Sequence, residues 1–403
     1  MSRLYDRTFL ISFLCQVSFV FANMLIGHYA RWVTFLDGDA ADVGWVMGIA
    51  AIAGLALRPW LGQWINRWGA RATWLIGFLL FGGGALGSLA VDSVGIGMCI
   101  ARAAIAAGAA FAFASQLTYI TLTTPLDRRT EGIGVAGAGG FVAMLIGPLT
   151  GDLILGAEER SRGDFVVLFV TTASILLVPA ILVGFLRAPQ IENSRGATRL
   201  GDFIRIVRQH WPGMILIVDA AFGICLCVPF VFLPNFVDVM GLLTPGLTPL
   251  GWFFLGYAGV GLSVRLLLRR LPDRAGRRKV LLAGLVFSAT GMFSFLAVEP
   301  SSPMLLLVPA CLCGTAHALM FFTMIALTLE PFPPEVRGSG SALALMLVDF
   351  GTLAGAPLLG QLAASFGYRS VFITAGSLTL VAAVLYTCAS IPVWQARWAL
   401  RAE

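Results

Sequence analysis

Charge is what this chain has least of. Acidic and basic side chains make up 12% of it, apolar residues 58%, and the mean hydropathy is +0.87. So few charges cannot clothe a water-soluble fold of ordinary size, and the solvent is therefore lipid. Histidine is equally scarce, with three copies, and no metal site or nucleophile-base pair can be assembled around them. The seven cysteines (15, 99, 225, 227, 311, 313 and 388) all fall inside apolar runs and read as small packing residues. Two Cys-x-Cys pairs lie on expected helices, where positions i and i+2 do not face together. No Gly-x-x-x-x-Gly-Lys-Ser/Thr loop is present, which argues against a nucleotide-driven machine, and no cofactor is expected. Long polar segments are missing too. Only Arg187 to His210 is a sizeable polar stretch, so no separate soluble domain is expected. Nor is a cleavable signal peptide, because the first apolar run is too long and leads into an acidic loop (Asp37, Asp39, Asp42).

What the chain has in abundance is apolar runs. A bilayer core about 30 Å thick takes roughly 20 apolar residues per helix. We place twelve spans near residues 8–35, 43–65, 72–91, 94–122, 131–155, 164–186, 213–239, 250–270, 279–298, 303–329, 339–363 and 369–391. Basic residues near span ends are retained in the cytoplasm. With an inside amino terminus, one side receives Arg3, Arg7, Arg58, Arg67, Arg71, Arg128, Arg129, the arginines of the 187–208 stretch, the Arg265 to Lys279 cluster, Arg337, Arg397 and Arg401. The other side receives only Arg31, Arg160, Arg162 and Arg369. Both termini are expected to be cytoplasmic. This asymmetry accounts for the net charge of +6, which gives no support to nucleic-acid binding.

The chain also matches itself. Arg58 to Arg71 reappears 207 positions further on as Arg265 to Arg278, with Asn66-Arg67 facing Asp273-Arg274, Gly69 facing Gly276 and Arg71 facing Arg278. A second echo sets Pro125 to Arg129 against Pro333 to Arg337 at an offset of 208. Two parallel halves follow, residues 1–186 and 213–403, joined by a linker at 187–212. Within the linker, Asp202 to Gln209 is either a short amphipathic helix offering Phe203, Ile204, Ile206 and Val207 to the membrane surface or irregular coil.

The loop from Gly62 through Asn66, Arg67 and Gly69 to Arg71, set between two spans of a two-times-six pattern, resembles the signature Gly-x-x-x-Asp-Arg-x-Gly-x-Arg of the major facilitator superfamily. Asn66 departs from the usual acid, whereas Asp273 keeps it in the second copy. Gly147-Pro148-Leu149-Thr150-Gly151 and Arg102 resemble features of antiporter-type exporters, with Asp152 where a second Gly often stands and Ile105-Ala106 in place of the usual Gln-Gly. Gly314 to His317 and Pro334 to Gly338 resemble arabinose-efflux-like permeases. The resemblance implies an all-α membrane protein, twelve helices in two six-helix halves around a central cavity lined by the first, fourth, seventh and tenth spans.

Ionisable residues inside spans cost about 2.5 to 3.5 kcal/mol on insertion scales and are functional suspects by default. Arg102, Asp219, His317 and Asp349 stand out by depth as candidates for proton coupling, with Asp219 and Asp349 placed well away from span ends. Burial and a nearby arginine act on a carboxylate in opposite senses, and Arg102 is the arginine expected to tune the acid. Asp349 lies on a span behind the cavity, so a purely structural role stands beside a coupling one. Asp152 and His28 lie nearer the outer surface and read as gate or interface groups. Arg67 and Arg71 are expected to latch onto carbonyl-rich helix ends in one access state and release them in the other, or else simply to mark the inside face. Cavity candidates are Gln16, Asn23, Gln116, Tyr119, Asn235, Phe232, Thr315 and Phe322.

These features together imply a secondary transporter of a bacterial inner membrane, working as a monomer by alternating access. Export of a small amphipathic molecule in exchange for protons is the leading expectation. Uptake or facilitated transport of a sugar or organic acid is the alternative; two or more positive charges in the cavity would favour an anionic substrate, and only Arg102 is visible. A non-transporting receptor is a distant third.

Overall fold

In a computed structural model, residues 6–124, 129–156, 160–186, 200–268, 270–333 and 336–402 are described. Twelve helices are long and apolar enough to cross a membrane: α1 (Arg7–Phe35), α2 (Ala40–Ile65), α3 (Ala70–Ala90), α4 (Ile96–Ile120), α5 (Gly137–Leu155), α6 (Arg162–Gly184), α7 (Ile215–Met240), α8 (Pro249–Leu267), α9 (Arg277–Ala297), α10 (Pro303–Leu329), α11 (Arg337–Phe366) and α12 (Tyr368–Ala389). Each matches its sequence expectation to within a few residues. Their outward faces are what lipid requires: Leu79, Ile96, Leu153 and Leu267 are 72 to 81% exposed.

Local chemistry sets where the helices begin. Asp39 and Asp42 form a capping box at the start of α2, and Ser161 and Asp164 form another at the start of α6. Asp6 accepts the Phe9 N–H at 2.8 Å at the start of α1. Each such cap satisfies orphan amides and stabilises the helix by about 1 kcal/mol. Gly69 (φ +83, ψ 151) and Gly276 (φ +92, ψ 131) turn the chain into α3 and α9 with a backbone open essentially to glycine alone. We call the end of the bundle carrying these turns the linker face and the opposite end the distal face.

The linker helix, Leu200–Gln209, lies at the first of these ends. The helical alternative for this segment is therefore the one observed, but its apolar side is not simply offered to a bilayer. Phe203 and Val207 are buried with Leu216, Phe332 and Leu343 of the second half, while Ile204 stays 49% exposed. Residues 187–199 lie outside the described residues.

The two six-helix halves meet along two seams, α2 against α11 and α5 against α8. Small residues let the backbones touch. A Cβ on Gly360 would lie 2.9 Å from the Gly44 Cα, one on Gly48 2.5 Å from the Pro357 ring, and one on Gly261 2.6 Å from the Phe141 ring. A third contact joins α1 to α7 at the distal face, and there neither is a regular α-helix. In α1 a 3₁₀ turn occupies Ile26–His28, and in α7 a π-helical turn occupies Val228–Phe232, with Pro229 and Pro234 removing backbone donors.

The repeat extends beyond the motif that revealed it. Arg162 pairs with Asp92 at 2.6 Å and Arg369 with Glu299 at 3.5 Å, two distal-face ion pairs at corresponding positions of the two halves.

Candidate functional site

At the distal face, the irregular ends of α1 and α7 carry an ion cluster. Arg31 of α1 donates to both carboxylate oxygens of Asp238 on α7, at 2.9 and 2.8 Å. Its remaining nitrogen pairs with Asp152 of α5 and donates to His28 Nδ1 at 2.9 Å. Arg160, ahead of α6, grips Asp238 from the other side at 2.8 and 3.0 Å. Since an arginine can only donate, His28 Nδ1 accepts and the ring proton sits on Nε2, aimed at the Pro148 carbonyl 3.0 Å away. His28 is thus neutral in this arrangement, and two arginines balance two aspartates. Arg31 is 3% exposed and Asp152 6%, a depth at which such balance is needed. Gly151 makes room for this histidine, because a Cβ there would run into the imidazole ring. The Gly-Pro-x-x-Gly stretch therefore serves as the α5 surface on which α1 and its histidine rest.

Nearer the midplane lies an aromatic enclosure. His317, half-way along α10, shares a 2.5 Å hydrogen bond with the Tyr257 hydroxyl of α8 through Nδ1. Edge-on rings of Phe222 from α7 and Phe141 from α5 stand at 5.4 Å, and Phe321 at 5.6 Å. Phe141 is the contribution of the first half, so this enclosure straddles the α5–α8 seam.

Toward the linker face, the repeated arginines Arg58 and Arg265 occupy equivalent places on α2 and α8. Arg58 makes a two-pronged pair with Asp349 of α11, one prong at 3.0 Å, across the α2–α11 seam. Gly54 permits the approach, since a Cβ there would sit 3.2 Å from the carboxylate. Arg265 instead lies over the Phe322 ring at 3.6 Å. No carboxylate pairs with it among the described residues.

The remaining suspects are dispersed. Asp219 is fully buried within the second half, a single turn from the start of α7 and so close to the linker face, not well inside as expected. One of its oxygens accepts from Thr328 at 2.8 Å, and the other is buried with no partner among the described residues. Arg102 points its Nε at the Met47 sulfur, 3.1 Å away, and lies 5.6 Å from the centre of the Tyr29 ring. It touches neither Asp219 nor Asp349; the arginine held by Asp349 is Arg58. Tyr119 is fully buried against Trp74 of α3, and Phe232 is fully buried in the π-helical turn. Asn235 belongs to the α1–α7 contact, its side chain donating to the Ala30 carbonyl at 3.5 Å. Gln16 and Gln116 are buried, Asn23 is half-buried, and Thr315 bonds back to the Cys311 carbonyl of its own helix at 2.8 Å.

In the loop motif, Arg71 donates to the Val183 and Gly184 carbonyls at the end of α6, at 3.1 and 2.9 Å. The expected contact with a carbonyl-rich helix end is there. It lies wholly within the first half, however, so rocking of one half against the other does not break it. Gly62 is helical, Arg67, Asp273 and Arg274 are exposed, and Arg278 is half-buried. The Asn66 side chain lies outside the described residues, as do Pro125 to Arg128, Pro334 and Glu335.

The sequence profile of the Major Facilitator Superfamily matches residues 8–275 and 243–393, between them almost the whole chain. The chain belongs to the Major Facilitator Superfamily. It is accordingly a secondary transporter and not an enzyme. It is similar to the Staphylococcus aureus staphylopine export protein, 21% identical over 85% of this chain and 86% of that one. It is also similar to multidrug resistance protein 2 of Bacillus subtilis, 22% identical over 52% of this chain and 53% of the relative, so the match spans about half the length of that protein. Among solved structures, the D-xylose-proton symporter superimposes with a TM-score of 0.74 at 16% identity, covering 93% of this chain and 95% of that one. The nucleoside transporter NupG gives 0.69 at 15% identity, covering 95% and 99%. At such identities these two show the shared fold alone.

Sequence reasoning overlooked Arg31, Asp238 and Tyr257 as site residues, and Arg58 as the partner of Asp349. For the first pair a signal existed: a charge inside each of two apolar runs, at the spacing of the internal repeat.

Proposed function

We propose that this transporter exports a small amphipathic molecule in exchange for protons, with the linker face in the cytoplasm of a bacterial cell. The observation that carries the reading is a pair of cross-half ion contacts flanking the aromatic enclosure, Arg31 with Asp238 distally and Arg58 with Asp349 toward the linker face. A carrier that alternates must seal one end while loosening the other, and each contact joins the halves at one end only. Relatives named for drug resistance and for staphylopine export support the outward direction. The excess of arginine on the linker face supports the orientation.

In this reading Asp349 is the proton site. A proton on its carboxylate removes the charge that holds Arg58, and the α2–α11 seam loosens toward the linker face. Asp349 is 21% exposed, whereas Asp219 is fully buried. Asp219, sealed inside the second half, is a structural acid. His317 and Tyr257 are the groups the substrate meets, among the rings of Phe141, Phe222 and Phe321. Proteoliposomes with an imposed pH gradient, screened against amphipathic dyes and aromatic metabolites, test the reading. Gradient-driven movement against a concentration difference is expected, and movement only down the substrate's own gradient would replace the exporter with a facilitator.

A further inference from the structure

Arg58 and Arg265 are the same residue of the repeat, but among the described residues only Arg58 has a carboxylate partner. On the α2–α11 seam, Gly54 opens a space that the Asp349 carboxylate fills, and Arg58 closes on it. On the α5–α8 seam, Gly261 opens the corresponding space, and the Phe141 ring fills it. Asp349 and Phe141 lie 208 positions apart, the offset of the second echo, so a phenyl ring stands where the other half has its acid. Arg265 is left half-buried against Phe322 and beside Gly137, its positive charge uncompensated among the described residues.

Depth makes this consequential. Helical side chains lean toward the helix amino terminus, which for α8 is the distal end, so the guanidinium points inward from the linker face. Arg265 stands in the last turn of α8, and a cation there with no carboxylate beside it is compensated only in part by a ring face. Phe322 adjoins Phe321, which packs on His317, so the cation borders the enclosure whose hydroxyl and imidazole are already in place. A planar guanidinium beside aromatic walls matches one ligand class above others: an aromatic ring carrying a carboxylate.

We infer that the transported molecule is an amphipathic anion, its carboxylate held by Arg265 and its apolar body lying among Phe141, Phe222, Phe321 and Phe322. The inference rests on the transport reading for the word transported, but binding is tested separately from coupling. The substrate supplies the counter-charge that Asp349 supplies in the other half. Empty, the carrier keeps an unbalanced cation in the α5–α8 seam; loaded, both seams are neutral.

The probe is cinnamate with its neutral amide, titrated calorimetrically into purified full-length protein in neutral detergent. Wild type should bind cinnamate and discriminate against the amide by roughly tenfold or more, the worth of a charge-assisted hydrogen bond. Arg265→Gln should abolish that discrimination, and Phe141→Asp, which rebuilds the other seam's ion pair around Arg265, should do the same through an independent change. Equal binding of acid and amide by wild type, no binding of either, or undiminished discrimination in both variants would overturn the inference. Displacement of cinnamate by phosphatidylglycerol would assign the cation to a lipid headgroup and overturn it as a substrate site. Failure of proton coupling, with carboxylate binding intact, would sink the exporter reading alone.

Discussion

Arg31 and Asp238 stand 207 positions apart, the period of the internal repeat, and they bond to each other. Each occupies in its half the place the other occupies in its own, so the pair lies where the symmetry axis relating the halves crosses the distal face. A contact between equivalent positions cannot be made from two copies of one charged residue without repulsion. The halves have diverged to opposite charge there. Separation of the distal ends would strand Asp238 on the second half, while Arg31, Asp152 and Arg160 all belong to the first.

Asp238→Asn should therefore loosen the distal seal while leaving Arg31 paired with Asp152. In a background with the native cysteines replaced, Asn23→Cys on α1 should react with an impermeant thiol reagent from the distal side roughly tenfold faster when Asp238→Asn is added. That corresponds to about 1.4 kcal/mol of lost closure. An unchanged rate would show that the cluster does not hold the two ends together.

Gly69 and Gly276 yield a prediction about backbone rather than space. A Cβ at either position meets nothing within 4 Å, yet both have φ near +90 in a region that other residues avoid. Gly69→Ala should thus be about as damaging as Gly69→Leu, costing about 1 to 3 kcal/mol of turn strain, with transport impaired and insertion retained. Gly62→Ala, in regular helix with equally open surroundings, should be neutral or stabilising by about 0.5 to 1 kcal/mol. Full transport by both Gly69→Ala and Gly276→Ala would reduce the motif to a charge anchor.

Topology is testable at two positions. Ser93, between α3 and α4, should be labelled from outside intact cells as Ser93→Cys, and Ser194 of the linker should be labelled as Ser194→Cys only after permeabilisation. The reverse pattern would invert the protein in the membrane and the direction of transport with it.

The twelve spans and the spacing of the internal repeat were legible in the sequence because each rests on local chemistry: runs of apolar residues and a motif met twice. The contacts between halves were not. Asp349 was legible as a buried acid, but its partner Arg58 lies 291 positions away, and sidedness alone accounts for an arginine there when the sequence is read by itself. Likewise His317 stood out as a lone titratable group, whereas Tyr257 did not, because one tyrosine among many aromatics carries no signal until the fold brings its hydroxyl to an imidazole. Asp219 shows the opposite failure. Its isolation in an apolar run suggested depth in the membrane, but the helix begins only one turn before it.

Coupling separates exporter from facilitator, and three neutralisations test where the proton binds. In the proposed cycle Asp349 takes the proton, and both of its oxygens hold an arginine of the other half. Asp349→Asn should abolish transport driven by a pH gradient while preserving substrate exchange, because Asn keeps the shape but no longer titrates. Asp219→Asn should keep gradient-driven transport, since an amide oxygen can still accept from Thr328. His317→Gln should weaken substrate binding more than coupling, because its hydrogen-bond partner is Tyr257 within the enclosure and not a group across a moving seam. Loss of coupling in Asp219→Asn, with Asp349→Asn still driven by the gradient, would move the proton site to α7. Gradient-driven transport surviving all three would overturn the assignment of the proton site to Asp349 and leave Asp152, Asp238 and His28 of the distal cluster as the titratable groups within the spans.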